Sequence, residues 1–125
     1  MSKTIPMLAA FALLAAAPAF AGDASKEVGT AAAHAGMAAG AEDPQMVKTH
    51  LHHVLNCLEG PSGADFAGAV GNPCKSYGDG AIGDSSADAR SGLEKAVSVV
   101  KEGLAETDIS KAKAKATEAQ AMLTK

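Results

Sequence analysis

The chain has 125 residues, of which 47% are apolar but only 3% aromatic, and its 14 acidic and 11 basic side chains give a net charge of −3. No basic patch is available to neutralise phosphates, which excludes a nucleic-acid partner. So few large side chains, with alanine in their place, suit helices that approach closely and exclude a β-sandwich.

The first 21 residues read as a secretory signal peptide. Lys3 supplies the basic start, Leu8 to Ala17 is a short apolar core, and Pro18 breaks it before the A-x-A motif Ala19-Phe20-Ala21. The apolar run is too short for a permanent membrane anchor. Cleavage there leaves residues 22–125 as a single small domain. It removes Lys3 and no acidic residue, so the mature charge is about −4. The expected location is periplasmic or secreted, with no membrane insertion after cleavage. In an oxidising compartment the even pair Cys57 and Cys74 is expected to form a disulfide. It closes a loop of roughly 17 residues, worth about 3 kcal/mol as lost chain entropy.

Four helices follow from the pattern. The first, about 24–41, is mostly alanine with Val28, His34 and Met37, and is weakened by Gly29, Gly36 and Gly40. Asp43-Pro44 supplies an N-cap and a first-turn proline for a second helix, 43–59, which Gly60-Pro61 ends. Residues 60–84 carry turn chemistry at Ser62-Gly63, Gly71-Asn72-Pro73 and Gly78-Asp79-Gly80, with a short helical turn expected around 64–70. The disulfide would tether this glycine-rich loop.

A third helix, 85–106, starts from an N-cap within Asp84-Ser85-Ser86 and shows the stripe Leu93, Val97, Val100 and Leu104. A fourth, 108–124, repeats Ile109, Ala112, Ala116, Ala119 and Leu123, with Lys111, Lys113 and Lys115 on a solvated face. Short connections pair one with two and three with four, giving an all-α, small antiparallel four-helix bundle.

The second helix carries the chemistry. Val47, Leu51, Val54 and Leu58 form an apolar stripe. Met46, His50, His53 and Cys57 repeat the same spacing one residue, or about 100°, away. His52 points elsewhere with Asn56 and Glu59 and is expected to be solvated. A hairpin turning near Glu42 puts His34 level with residue 51, between His50 and His53, with Met37 and Met46 nearer the turn. Three imidazoles and a thioether then converge between two helices.

Imidazoles bind zinc, copper, nickel or iron, and thioether sulfur shifts the preference toward copper. Acidic residues are absent from both faces, which disfavours calcium and magnesium. The leading expectation is therefore a metal-binding protein holding copper, slightly ahead of zinc, through His34, His50 and His53 with Met37 or Met46. Its role would be binding, buffering or delivery to a periplasmic protein partner. The alternatives are a haem-b electron-transfer or sensor protein using His34 with His50 or His53, and a cofactor-free bundle whose tethered loop meets a partner.

Several patterns carry no function. No C-x-x-C-H attaches haem covalently. Gly78-Asp79-Gly80-Ala81-Ile82-Gly83 matches G-x-G-x-x-G, but no strand precedes it. Asp79, Asp84 and Asp88 lack the EF-hand spacing, and no serine has a nucleophile-elbow context. No enzyme signature is present. The block from Thr49 to Cys57, continued by Gly60-Pro61 and Asn72-Pro73-Cys74, resembles one found in small exported bacterial proteins of unassigned role. The alanine-rich helices with their histidines are similar to small metal-binding periplasmic proteins, a resemblance that implies metal binding and does not extend to the glycine-rich loop.

Overall fold

A computed structural model describes residues 22–125. The expected signal peptide and its cleavage motif lie in residues 1–21, outside the described residues. All regular structure among the described residues is helical: α1 (Ala24–Gly40), α2 (Pro44–Glu59), a 3₁₀ turn (Gly68–Val70), α3 (Ala81–Asp84), α4 (Ala87–Ala105) and α5 (Ile109–Leu123). No described helix is long and apolar enough to cross a membrane.

Local chemistry accounts for the ends. Asp23, Asp43 and Asp108 each accept backbone N–H groups from the first turn of α1, α2 and α5, satisfying donors that a helix start leaves unpaired. Pro44 opens α2, where a missing N–H costs nothing. Ser86 caps α4 by position, without a side-chain bond. Gly60 ends α2 at φ 70°, and its Cα packs on the 79–80 backbone. A Cβ there would strike the Asp79 carbonyl oxygen, and one on Gly80 (φ 111°) would strike the Glu59 carbonyl group.

Packing follows the stripes. Val47, Leu51, Val54 and Leu58 of α2 are buried, as are Leu93, Val97 and Val100 of α4 and Ala112, Ala116, Ala119 and Leu123 of α5. Leu104 and Ile109 pack against that core from partly buried positions. Helix α1 contributes Ala31, Ala32, Ala35 and Ala38. These small side chains let α1 lie close to α2 and α5, while α4 contacts α5 and α2. Lys48 of α2 reaches the end of α4, donating to the carbonyls of Leu104 at 2.7 Å and Glu106 at 3.2 Å. It thereby neutralises the negative end of that helix.

The stretch between α2 and α4 is more ordered than its composition implies. It holds the 3₁₀ turn, within the 64–70 stretch where a helical turn is expected, and also α3, which lies in what is expected to be loop. Cys57 and Cys74 form a disulfide with Cα atoms 5.2 Å apart, both side chains buried.

Candidate metal centre

Helix α1 presents His34 and helix α2 presents His50 and His53, one turn apart. Their rings form a triangle, with centroids 5.2 Å apart for His34–His50, 4.7 Å for His34–His53 and 5.8 Å for His50–His53. His34 does sit between the two α2 histidines, as the hairpin register requires. One nitrogen from each ring lies within 4.8 Å of one from each of the others, and no carboxylate belongs to the group.

Each ring has a distinct constraint. His53 Nε2 lies 2.7 Å from the Val70 carbonyl oxygen. A carbonyl only accepts, so Nε2 carries the proton and donates it, leaving Nδ1 as a bare lone pair. That Nδ1 is buried and has no partner among the described residues. His34 and His50 meet through their Nδ1 atoms at 3.0 Å. Two lone pairs at that distance repel, so one nitrogen must hold a proton and donate it to the other.

A transition-metal ion can replace that proton. Two imidazole nitrogens on one tetrahedral ion, each at 2.0–2.1 Å, stand roughly 3.3 Å apart, so a few tenths of an ångström of side-chain adjustment fits the pair to a metal. His53 has one nitrogen anchored to a carbonyl and the other free, the arrangement usual for a metal ligand.

Electrostatics keep the rings ready. Burial, reinforced by repulsion from His53 and His50, pushes His34 down to about 4. Burial and His53 lower His50 as well. Ligands must be neutral to bind a metal, and both stay neutral below the ordinary imidazole range.

A residue outside the histidine stripe holds the anchor. Asn56 is fully buried, and its side chain donates to the carbonyls of Ala67 at 2.9 Å and Gly71 at 2.7 Å while accepting from the Ala67 N–H at 2.8 Å. These bonds clamp the 3₁₀ turn onto α2 and set Val70 over His53. The expectation that Asn56 and His52 share a solvated face is corrected here, because the 60–84 stretch and α4 cover that side of α2. His52 is half-buried beside Leu55, Asp65, Lys101 and Leu104, away from the triangle, with its Nδ1 buried and unpartnered. Burial, His53 and Lys48 hold its pKa down. Glu59 of the same face is partly buried and accepts from the Asp65 N–H at 3.0 Å. An amide with two buried donors and an acceptor opposite a turn-rich loop was the available signal for Asn56.

The two methionines stand differently. Met37 is 50% and Met46 43% exposed, so neither thioether is enclosed with the imidazoles. His34 and His50, one of the two pairs expected to hold a haem, meet directly with their Nδ1 atoms 3.0 Å apart.

No family model, curated protein or solved structure matches the chain. The site's chemistry has to carry the functional reading.

Proposed function

We propose that the protein is an exported binding protein for one transition-metal ion, held by His34, His50 and His53 across the α1–α2 seam of a four-helix bundle. The observation that carries this reading is the convergence of three imidazoles, one ring nitrogen of each within 4.8 Å of the others and no carboxylate among them, with the His53 Nδ1 buried and unpartnered among the described residues. An interior lone pair without a donor costs about 1–3 kcal/mol, and a metal ion removes that cost. Three neutral nitrogens suit copper or zinc, and the general affinity order favours copper where both are present. The exposed thioethers of Met37 and Met46 lie on the same two helices and could swing toward a fourth position. The proposed role is binding, buffering or delivery to a periplasmic partner.

The test is metal analysis and titration of the exported protein with copper and zinc. The expected result is one ion per chain, lost in His34→Ala, His50→Ala and His53→Ala and kept in His52→Ala. An absorption spectrum of the same samples should lack a Soret band. Wild type that binds neither metal more tightly than these variants would leave a cofactor-free bundle as the function, and a Soret band would favour haem.

A further inference from the structure

A second cluster of titratable groups, separate from the histidines, lies where the start of α1 meets the stretch before α4. The Asp23 N–H donates to the Tyr77 carbonyl at 2.7 Å, laying Gly22 across Gly78. A Cβ on Gly78 would lie 2.7 Å from Gly22 Cα, and one on Gly22 would strike the Asp84 carboxylate. Gly22 therefore touches Asp84, and no side chain fits in its place.

Glu27, one turn into α1, is fully buried. Its Oε1 accepts from the Gly80 N–H at 3.0 Å, while Oε2 has no partner among the described residues. Asp84 meets Glu27 over Gly78, where a Cβ would strike Asp84 Oδ2 and lie 3.0 Å from Glu27 Oε1, and it accepts from the Asp79 N–H at 2.9 Å through Oδ2. Two carboxyl groups can bond each other only when one is protonated; with both ionised they repel. No Lys or Arg forms an ion pair with either among the described residues. Lys26, the nearest in sequence, turns to Asp23 at 3.7 Å and lies over the Tyr77 ring. A buried carboxylate with a vacant oxygen, beside a second carboxylate and no cation, is an incomplete ion pair.

We propose that the missing cation is the chain's own α-ammonium, created at Gly22 when a signal peptidase hydrolyses the Ala21–Gly22 bond. Water adds its hydroxyl to the Ala21 carbonyl carbon and a proton to the departing Gly22 nitrogen, and the new Ala21 carboxylic acid then ionises, its proton making the amine an ammonium at neutral pH. That nitrogen is one bond from the Cα already packed on Gly78 and next to Asp84. Before cleavage it is a peptide nitrogen with a single donor. Afterwards it has three donors and a positive charge for Asp84 and for Glu27 Oε2. Burial, the Asp84 charge and the Asp79 charge together hold Glu27 up near 7 in the uncut chain, against the Gly80 N–H that favours ionisation. The ammonium reverses that balance. Processing thus fastens the start of α1 to the 77–84 stretch, and glycine is required at the first mature position for reasons separate from cleavage. The reading shares the expected cleavage site with the proposed function but does not depend on the histidines.

The full chain is exported, and its N-terminus is identified by sequencing and intact mass. The pKa of the α-amine is then read from its pH-dependent acylation, followed by peptide mass spectrometry, in wild type, Glu27→Gln and Asp84→Asn. The groups facing the amine are Glu27 from α1, Asp84 from α3 and Asp79 from the connecting stretch, with Asp23 and Lys26 beside it and Tyr77 bonded to the Asp23 N–H. The expected N-terminus is Gly22. Its amine should titrate at least about one unit above the ordinary 7.7–8.0, so that roughly tenfold less is reactive at pH 7.5, and return toward that range in both variants. Asp84→Asn keeps an oxygen for the Asp79 N–H. If that variant still fails to fold, wild type and Glu27→Gln decide the matter alone. A mature chain beginning elsewhere, or an amine with an ordinary pKa in wild type, overturns the proposal. So does a raised pKa that neither substitution moves. None of these outcomes bears on metal binding, so the two readings fail separately.

Discussion

At the residue scale, Asn56 deserves as much weight as the histidines. It grips both ends of the 3₁₀ turn, at Ala67 and Gly71, through three hydrogen bonds at 2.7–2.9 Å, while His53 bonds Val70 between them. Removing it leaves the Ala67 N–H and the Gly71 carbonyl without partners inside the fold, and the Ala67 carbonyl with only the Val70 N–H at 3.3 Å. Asn56→Ala is expected to destabilise the protein by about 2–4 kcal/mol in denaturant titration. The same substitution frees Val70, whose carbonyl holds the His53 tautomer, so metal affinity should fall by about tenfold although no ligand has changed. Unaltered stability together with unaltered affinity would show that the clamp is unimportant.

At the element scale, the 60–84 stretch couples the disulfide to the histidine site. Cys57 lies one helical turn beyond His53, and its bond to Cys74 returns the chain to α2 just after the Val70 anchor. The Cys57→Ala/Cys74→Ala variant should lose about 3 kcal/mol of stability, the value for a closed loop of roughly this length. It should also bind metal more weakly, read by the same titration. The boundaries of the four long helices were legible in the sequence because capping aspartates, Pro44 and Gly60 mark them directly. The His34–His50–His53 triangle was legible because helical spacing and a short hairpin together fix which rungs face each other. The environment of Asn56, Glu59 and His52 was not. α2 is covered on a side that its own periodicity marks as polar, and a loop folding back through long-range hydrogen bonds leaves no periodic signal. The burial of Glu27 was hidden for the same reason, since its partners lie some fifty residues away in α3 and the stretch before it.

At the scale of the whole molecule, two sets of partly or wholly buried groups pull stability in opposite directions with pH. His34 is held near 4, and His50 and His52 are also lowered. Between pH 6.5 and 4 the unfolded chain binds more protons than the folded one, so these histidines withdraw stability as the solution is acidified. Glu27 does the reverse. Held near 7 in the uncut chain, it keeps a proton in the folded state that the unfolded chain releases above its ordinary 4.5, so it withdraws stability as pH rises through that window, and Glu59, which burial also raises, acts in the same sense. Three lowered histidines outweigh the two raised carboxyl groups. The denaturation midpoint of metal-free protein is therefore expected to fall from pH 6.5 to 4, and to fall less in His34→Ala. A midpoint that is flat, or identical in the variant, would contradict the buried, neutral state of that ring.

The alanine seam of α1 has a thermal consequence. Ala31, Ala35 and Ala38 fill their positions completely yet hide little hydrocarbon from water. The heat capacity released on unfolding scales with that hidden hydrocarbon. Such a chain has a shallowly curved dependence of stability on temperature, losing little on cooling and giving way gradually on warming. It would hold its two histidine-bearing helices together over a wide span of growth temperatures without ever being strongly stabilised at any one of them.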